Sequence, residues 1–186
     1  KDGEHPDPKK NQEVFPMSIF EKLFHTNKEN TSAKEDKNMK IAVICANGKA
    51  GKLIVKEALD RKLDVTAVVR GENKTEASQV ITKDLFDLTA GDLKGFDVVI
   101  DAFGAWTEDT LPLHSTSLKH LCDILSGTDT RLLVVGGAGS LYVNAEHTAQ
   151  VMDGPDFPDV FKPLASNMGK ALAELRQRKD VRWTYI

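Results

Sequence analysis

The sequence predicts an α/β fold: a doubly wound parallel sheet in three layers, with helices on both faces. Three observations carry this expectation. From Met39 onward, short runs rich in Val, Ile and Ala alternate with longer segments of helical spacing. The short runs are almost continuously apolar, as strands covered on both faces must be. A glycine-containing turn, CANGKAG at residues 45–51, joins the first run to the first helical segment, as a parallel β-α-β unit requires.

Each element follows in order. Residues 40–46 (KIAVICA) read as the first strand, and residues 50–61 as a helix with Leu53, Ile54, Ala58 and Leu59 turned inward. Residues 64–70 (DVTAVVR) form a second strand, 79–82 a shorter third, and 97–103 (DVVIDAF) a fourth. A helix over 111–125, a fifth strand at 131–136 (RLLVVG), a mostly helical stretch over 160–177 and a sixth strand at 181–186 complete the pattern. Right-handed crossovers make such a sheet doubly wound.

Before Met39 the composition differs. Residues 1–38 hold 7 Lys/Arg and 8 Asp/Glu, with three prolines and a polar run from Thr26 to Asn38. Such a segment buries too little apolar surface to offset its ordering entropy. Within it, Val14, Phe15, Ile19, Phe20, Leu23 and Phe24 recur at helical spacing, so a short amphipathic helix is expected there. The chain thus divides into a polar tail, 1–38, and one domain, 39–186.

Composition excludes several function classes. A net charge of −3 and a pI near 6.0 give no electrostatic basis for a nucleic-acid partner. No run reaches the roughly 18 apolar residues of a membrane span. Two cysteines and five scattered histidines make neither a disulfide framework nor a zinc site, so a reducing, cytoplasmic setting is expected, with no metal.

The turn carries the chemistry. Cys45, Gly48 and Gly51 occupy the G-x-x-G-x-x-G spacing of a dinucleotide-binding turn, with Cys45 replacing the first glycine. A glycine in the middle lets backbone N–H groups approach a pyrophosphate; a glycine at the end lets the helix pack close to the strand. The helix N-terminus adds partial positive charge. Asn47, Gly48, Lys49, Ala50 and Gly51 are therefore the expected phosphate cradle. Cys45 reads as a small residue at a strand end, or as a thiol activated by the helix N-terminus. Arg70 ends the second strand, where an arginine pairs with the 2′-phosphate of NADP and an acid would select NAD. NADP is thus favoured over NAD. Asp84 and Leu85 are placed to flank the adenine, although Asp84 fits equally well as a turn cap. Ala102, Phe103 and Gly104 after the fourth strand, with Gly136 after the fifth, are expected to border the ribose and nicotinamide.

Through KIAVICANGKAG, VTAVVR, VVIDAFGAW, LLVVGGAGSLYV and VRWTYI, residues 39–186 resemble the atypical short-chain dehydrogenase/reductases of the NAD(P)-binding, nitrogen-repressor-like group. Within it they are most similar to bacterial proteins described as NADH-flavin reductases and to biliverdin/flavin reductases. The resemblance implies a Rossmann-like domain with a small C-terminal substrate lobe, of which only part precedes Ile186. The tail has no counterpart in the family. Short-chain dehydrogenases use Tyr-x-x-x-Lys to protonate a carbonyl. Here the matching positions are Ser166 and Lys170, so the tyrosine is missing. The candidate catalytic groups left are Tyr142, Ser140, His114 and Lys170, with His147 and Trp106 as substrate contacts; Cys122 reads as core.

Two functions fit. One is an NAD(P)H-dependent oxidoreductase passing hydride to a flavin, quinone or similar conjugated acceptor, which needs alignment more than a dedicated proton donor. The other is a non-catalytic NADP(H)-binding redox sensor acting through a protein partner. Nucleotide-sugar epimerase chemistry is disfavoured, because it needs the tyrosine. A homodimer and a tail-mediated protein contact are both left open.

Overall fold

The computed structural model describes residues 39–186. The apolar helix expected over residues 14–24, with the rest of the tail, lies outside the described residues. The strands are β1 (Lys40–Ile44), β2 (Asp64–Val69), β3 (Gln79–Thr82), β4 (Val98–Asp101), β5 (Arg131–Val134) and β6 (Arg182–Tyr185). They form one sheet in the order β3-β2-β1-β4-β5-β6, with every neighbouring pair parallel. The expected Rossmann-like fold is therefore observed. The order reverses between β1 and β4, and their carboxyl ends open the crevice where such sheets bind ligands.

The helices are α1 (Lys49–Asp60), α2 (Leu113–Leu125) and α3 (Lys162–Arg176). Burial on both faces explains the apolar strands: Ile41, Ala42, Val43 and Ile44 are all buried although successive side chains point to opposite faces. α1 lies against β1 and β2 and buries Ile54, Val55 and Ala58. Leu53 departs from expectation. It lies on the outer side of α1, 69% exposed, and Val55 takes the inward place. On the other face, Leu118, Leu121, Cys122 and Leu125 of α2 and Leu172 and Leu175 of α3 pack over Ile44, Val99, Leu132 and Val134. Cys122 is core, as its surroundings in the sequence suggest. Arg178 joins the two helices by donating to the Asp123 carboxylate at 2.6 Å and the Cys122 carbonyl at 3.2 Å.

Element ends differ from the expected ones for local reasons. β1 stops at Ile44 because Cys45 turns into the left-handed region, φ 58°. β4 stops at Asp101, whose carboxylate accepts from the Phe103 N–H at 2.9 Å and curls the chain. The stretch over 160–177 begins as a 3-10 turn (Asp159–Phe161) and becomes α3 near Pro163, a residue suited to a first helical turn.

A tight backbone-to-backbone contact lies at the start of α1. A Cβ on Gly51 would fall 2.6 Å from the Cys45 carbonyl oxygen and 2.7 Å from the Ala46 Cα. Both are backbone, so relief would require moving the helix off the strand. Gly51→Ala is expected to lower stability by about 2–3 kcal/mol, measured by urea denaturation; an unchanged midpoint would contradict this packing.

Candidate functional site

The site begins with the turn between β1 and α1. Cys45 takes the left-handed conformation that a glycine at its motif position adopts freely, and its carbonyl accepts from the Gly48 N–H at 2.9 Å. Gly48 precedes α1 with extended backbone and no side-chain cap, and no acid stands in the first turn. The N–H groups that begin α1 are thus left for an anion, with the exposed Lys49 beside them. This arrangement fits a pyrophosphate. The Cys45 thiol does not fit an activated sulfur: burial above all, and the nearby Asp101, push it up to about 12. The reading of Cys45 as an activated thiol is therefore corrected, because burial outweighs the helix terminus.

Asn47 spends its side chain on structure. Its Nδ2 donates to the Glu72 carbonyl at 2.8 Å and its Oδ1 accepts from the Lys74 N–H at 2.7 Å. These bonds tie the loop after β2 to the phosphate turn and so fix where Arg70 stands. The Arg70 side chain is 82% exposed and only 3.9 Å from Asp84, a solvated ion pair of little strength. It is free to swing onto a ligand. Asp84 caps the 3-10 turn Leu85–Asp87 by accepting from the Phe86 N–H at 3.0 Å. Leu85 is 5% exposed and belongs to the core.

The carboxyl end of β4 supplies the next wall. Ala102, Phe103 and Gly104 run out of the strand, and the Trp106 indole lies against Gly104 with most of its surface in solvent. Behind them is a small, partly open polar cluster. His114 is buried, packs edge-on to Phe103 at 5.5 Å, and holds its Nε2 3.1 Å from the Ala105 carbonyl. The Ala105 N–H lies 3.4 Å from the same nitrogen, so both backbone groups of Ala105 face the ring. Asp101 is 4% exposed, and burial raises its carboxyl to about 6, against a smaller lowering by the Phe103 N–H. Asp101, His114, Ser117 and Tyr185 share a cavity of about 20 Å³ with Phe103, Val135 and Met168. Asp101 and Tyr185 were not among the residues singled out from sequence. The one available signal was an acid closing an otherwise apolar strand, VVID.

The remaining candidates are not brought to this wall. Ser140 is buried, packed near Gly169 of α3. The Tyr142 ring stacks on His147 at 4.7 Å, with the Arg176 guanidinium 5.6 Å from its centre. Arg176 ends α3, so Tyr142 ties the loop after β5 to the end of that helix. His147 belongs to that contact. Lys170 is exposed and approaches only Glu174, at 4.0 Å; Ser166 is exposed one turn earlier. Gly136 makes room for Tyr185, since a Cβ there would fall 2.1 Å from the Tyr185 ring. Among the described residues no group of three His, Cys, Asp or Glu could hold a metal ion, and no helix is long and apolar enough to cross a membrane.

A reversed-order parallel sheet with a glycine-tight phosphate turn at its switch point defines a nucleotide-binding α/β protein. The match to known proteins sharpens this. The family model described as NAD(P)H-binding covers residues 45–186, and the chain belongs to that family. It is 46% identical over 151 residues to the uncharacterised protein YwnB of Bacillus subtilis, spanning 80% of this chain and 70% of that one. Among solved structures it is similar to a "putative NADH-flavin reductase" of Streptococcus pneumoniae, at 56% identity and a TM-score of 0.77 over 79% of this chain and 70% of the other. A Lactobacillus casei protein is 30% identical with a TM-score of 0.68, over 79% of this chain and 72% of its own.

Asp101 has a consequence for stability. Its folded-state value, raised from 3.8 to about 6, means that the unfolded chain loses this proton more readily. No penalty exists below about pH 4; it grows as pH rises through about 6 and is then constant, at about 3 kcal/mol. Asp101→Asn is expected to stabilise the protein at pH 8 and to have little effect at pH 4, read from thermal melts at both. An equal effect at the two pH values would show that the carboxyl is not held as described.

Proposed function

We propose that this protein is an NAD(P)H-dependent oxidoreductase that passes hydride to a flavin, a quinone or a similarly flat conjugated acceptor. Residues 39–186 are its NAD(P)-binding domain, and residues 1–38 a separate tail. The observation that carries the reading is the make-up of the crevice. A phosphate cradle at Gly48–Gly51 leads to a thin wall, Ala102–Gly104, with the Trp106 indole beside it and the Ser166–Lys170 pair turned to solvent. The name carried by the Streptococcus pneumoniae relative supports the same reading.

The bound nicotinamide supplies the hydride. This chain's residues bind, orient and exclude water. The α1 N-terminus and Lys49 hold the pyrophosphate, and the Asn47 bridge keeps the loop after β2 at the edge of the turn. Arg70 takes the 2′-phosphate, which makes NADP(H) the preferred cofactor. His114, bonded to Ala105 and packed on Phe103, stiffens the wall behind the nicotinamide. A planar acceptor then needs only to lie flat at van der Waals distance from it.

Two measurements test this. Arg70→Gln removes one charge-assisted pair and should weaken NADPH binding about tenfold or more while leaving NADH unchanged; equal loss for both cofactors would remove the case for NADP. Purified protein should oxidise NADPH when free flavin or a quinone is added, followed by the loss of reduced-nicotinamide absorbance. Tight NADPH binding without turnover across these acceptors would sink the reductase reading in favour of a redox sensor.

A further inference from the structure

Hydride transfer alone does not complete the reduction of every acceptor in the proposed class. A quinone takes two electrons and one proton as hydride, leaving oxidised nicotinamide and a hydroquinone monoanion. One further proton must arrive. The tyrosine that supplies it in related enzymes is Ser166 here, which is exposed.

The buried cluster behind Phe103 holds the alternative. Asp101 stands at the carboxyl end of β4, beside the switch point, and one of its oxygens accepts from the Phe103 N–H at 2.9 Å. Its carboxyl lines the same cavity as the Tyr185 side chain. Burial raises the Tyr185 hydroxyl above its ordinary value, with a smaller opposing effect of the nearby Gly137 N–H, so the hydroxyl keeps its proton near neutrality. The cavity, about 20 Å³, has room for a water molecule between polar walls. The groups facing Asp101 do not hold it ionised. Cys45 at the end of β1 and Cys122 on α2 stay protonated, pushed up by burial to about 12 and about 11. His114 and Ser117 of α2 turn toward the Ala105 carbonyl and the His114 carbonyl respectively. β5 contributes Val134 and Val135, and α3 contributes Met168 and Ala171. Among the described residues lining the cavity there is no lysine or arginine.

We propose that Asp101 is the proton reservoir of the reductive step, acting through Tyr185 across their shared cavity. This rests on the reductase reading. The Asp101 carboxyl releases its proton, the Tyr185 hydroxyl passes one on to the reduced acceptor, and solvent reprotonates the carboxylate. Net, one quinone, one NAD(P)H and one proton give one hydroquinone and one NAD(P)⁺. A carboxyl held near 6 by burial keeps a usable fraction protonated close to neutrality, which an ordinary aspartate does not. The buried carboxylate's cost to stability then has a counterpart in function.

The test is the pH profile of NADPH-dependent quinone reduction at saturating NADPH. In wild type the rate should be highest on the acid side and fall as pH rises above about 6, the value set by the buried carboxyl. Asp101→Asn keeps the size of the side chain and its acceptor for the Phe103 N–H but has no proton to give. It should lower the acid-side rate by about a hundredfold and flatten the profile, with NADPH affinity unchanged. Tyr185→Phe should flatten it in the same way, and carries the test alone if the Asn variant fails to fold. A folded D101N or Y185F chain with the wild-type profile overturns the proposal, as does a pH-independent wild-type rate. Wild type that binds NADPH yet reduces no acceptor at any pH overturns the reductase reading itself, so the two failures are distinguishable.

Discussion

The fold and the site both hang on one close approach, that of the first turn of α1 to the end of β1. Gly51 sits where any Cβ would strike the Cys45 and Ala46 backbone. That contact sets the height of α1 on the sheet and aims its N-terminus at the crevice between β1 and β4. The bend that makes the approach possible is the left-handed Cys45, which costs about 1–2 kcal/mol in a residue with a Cβ. The turn tolerates this because the Cys45 side chain packs against the core and its carbonyl is bonded to Gly48. The same burial that holds Cys45 in place silences its thiol. A structural need therefore overrides the chemistry that its position at a helix terminus would suggest.

From this anchor the cofactor half of the site follows by short links. Asn47 projects from the turn and bonds the loop after β2, which begins with the exposed Arg70. On the far side of the switch point, β4 pairs with β1 in register and delivers Asp101 to the crevice beside Ile44. Asp101 then shapes the wall by bonding the Phe103 N–H, and His114 braces it from α2. The second half of the sheet is thus connected to the first through the backbone register of a single strand pair.

The strands and helices were legible in the sequence because parallel strands buried on both faces leave continuous apolar runs, and because helices keep a 3.6-residue stripe. Their ends were not, since these depend on single events: the positive φ of Cys45, the Asp101 bond to Phe103, the proline opening α3. The glycine turn was legible as a turn for a similar reason, its tight strand-to-helix geometry being encoded in local spacing. The surroundings of Leu85, Ser140 and Tyr142 were not legible, because a residue's number of steps beyond a strand does not say which way its side chain turns. Leu85 packs in the core, Ser140 lies beside α3, and Tyr142 stacks on His147 beneath Arg176. Asp101 and Tyr185 were missed because neither lies in a spaced motif. They meet only once β4 and β6 take their places on either side of β5.

The two halves of the site therefore differ in kind. The cofactor side is built from strand ends and one helix terminus, with backbone atoms as its main partners, so few substitutions can alter it without moving the sheet. The long connection between β5 and α3 starts at Val135, on the edge of the Asp101 cavity. That connection is held by side chains: Asn144 accepting from the Thr148 and Ala149 N–H groups, Tyr142 stacked on His147, and a capping box from Gln150 to Asp153. Such contacts can be exchanged one at a time at a cost of about 1 kcal/mol each, leaving the sheet intact. On the reductase reading proposed above, acceptor choice is free to vary where the structure is cheapest to change. Delivery of the proton, if it is to survive such changes, must be housed in the rigid part. A carboxyl at the end of a central strand, under the wall, meets that requirement.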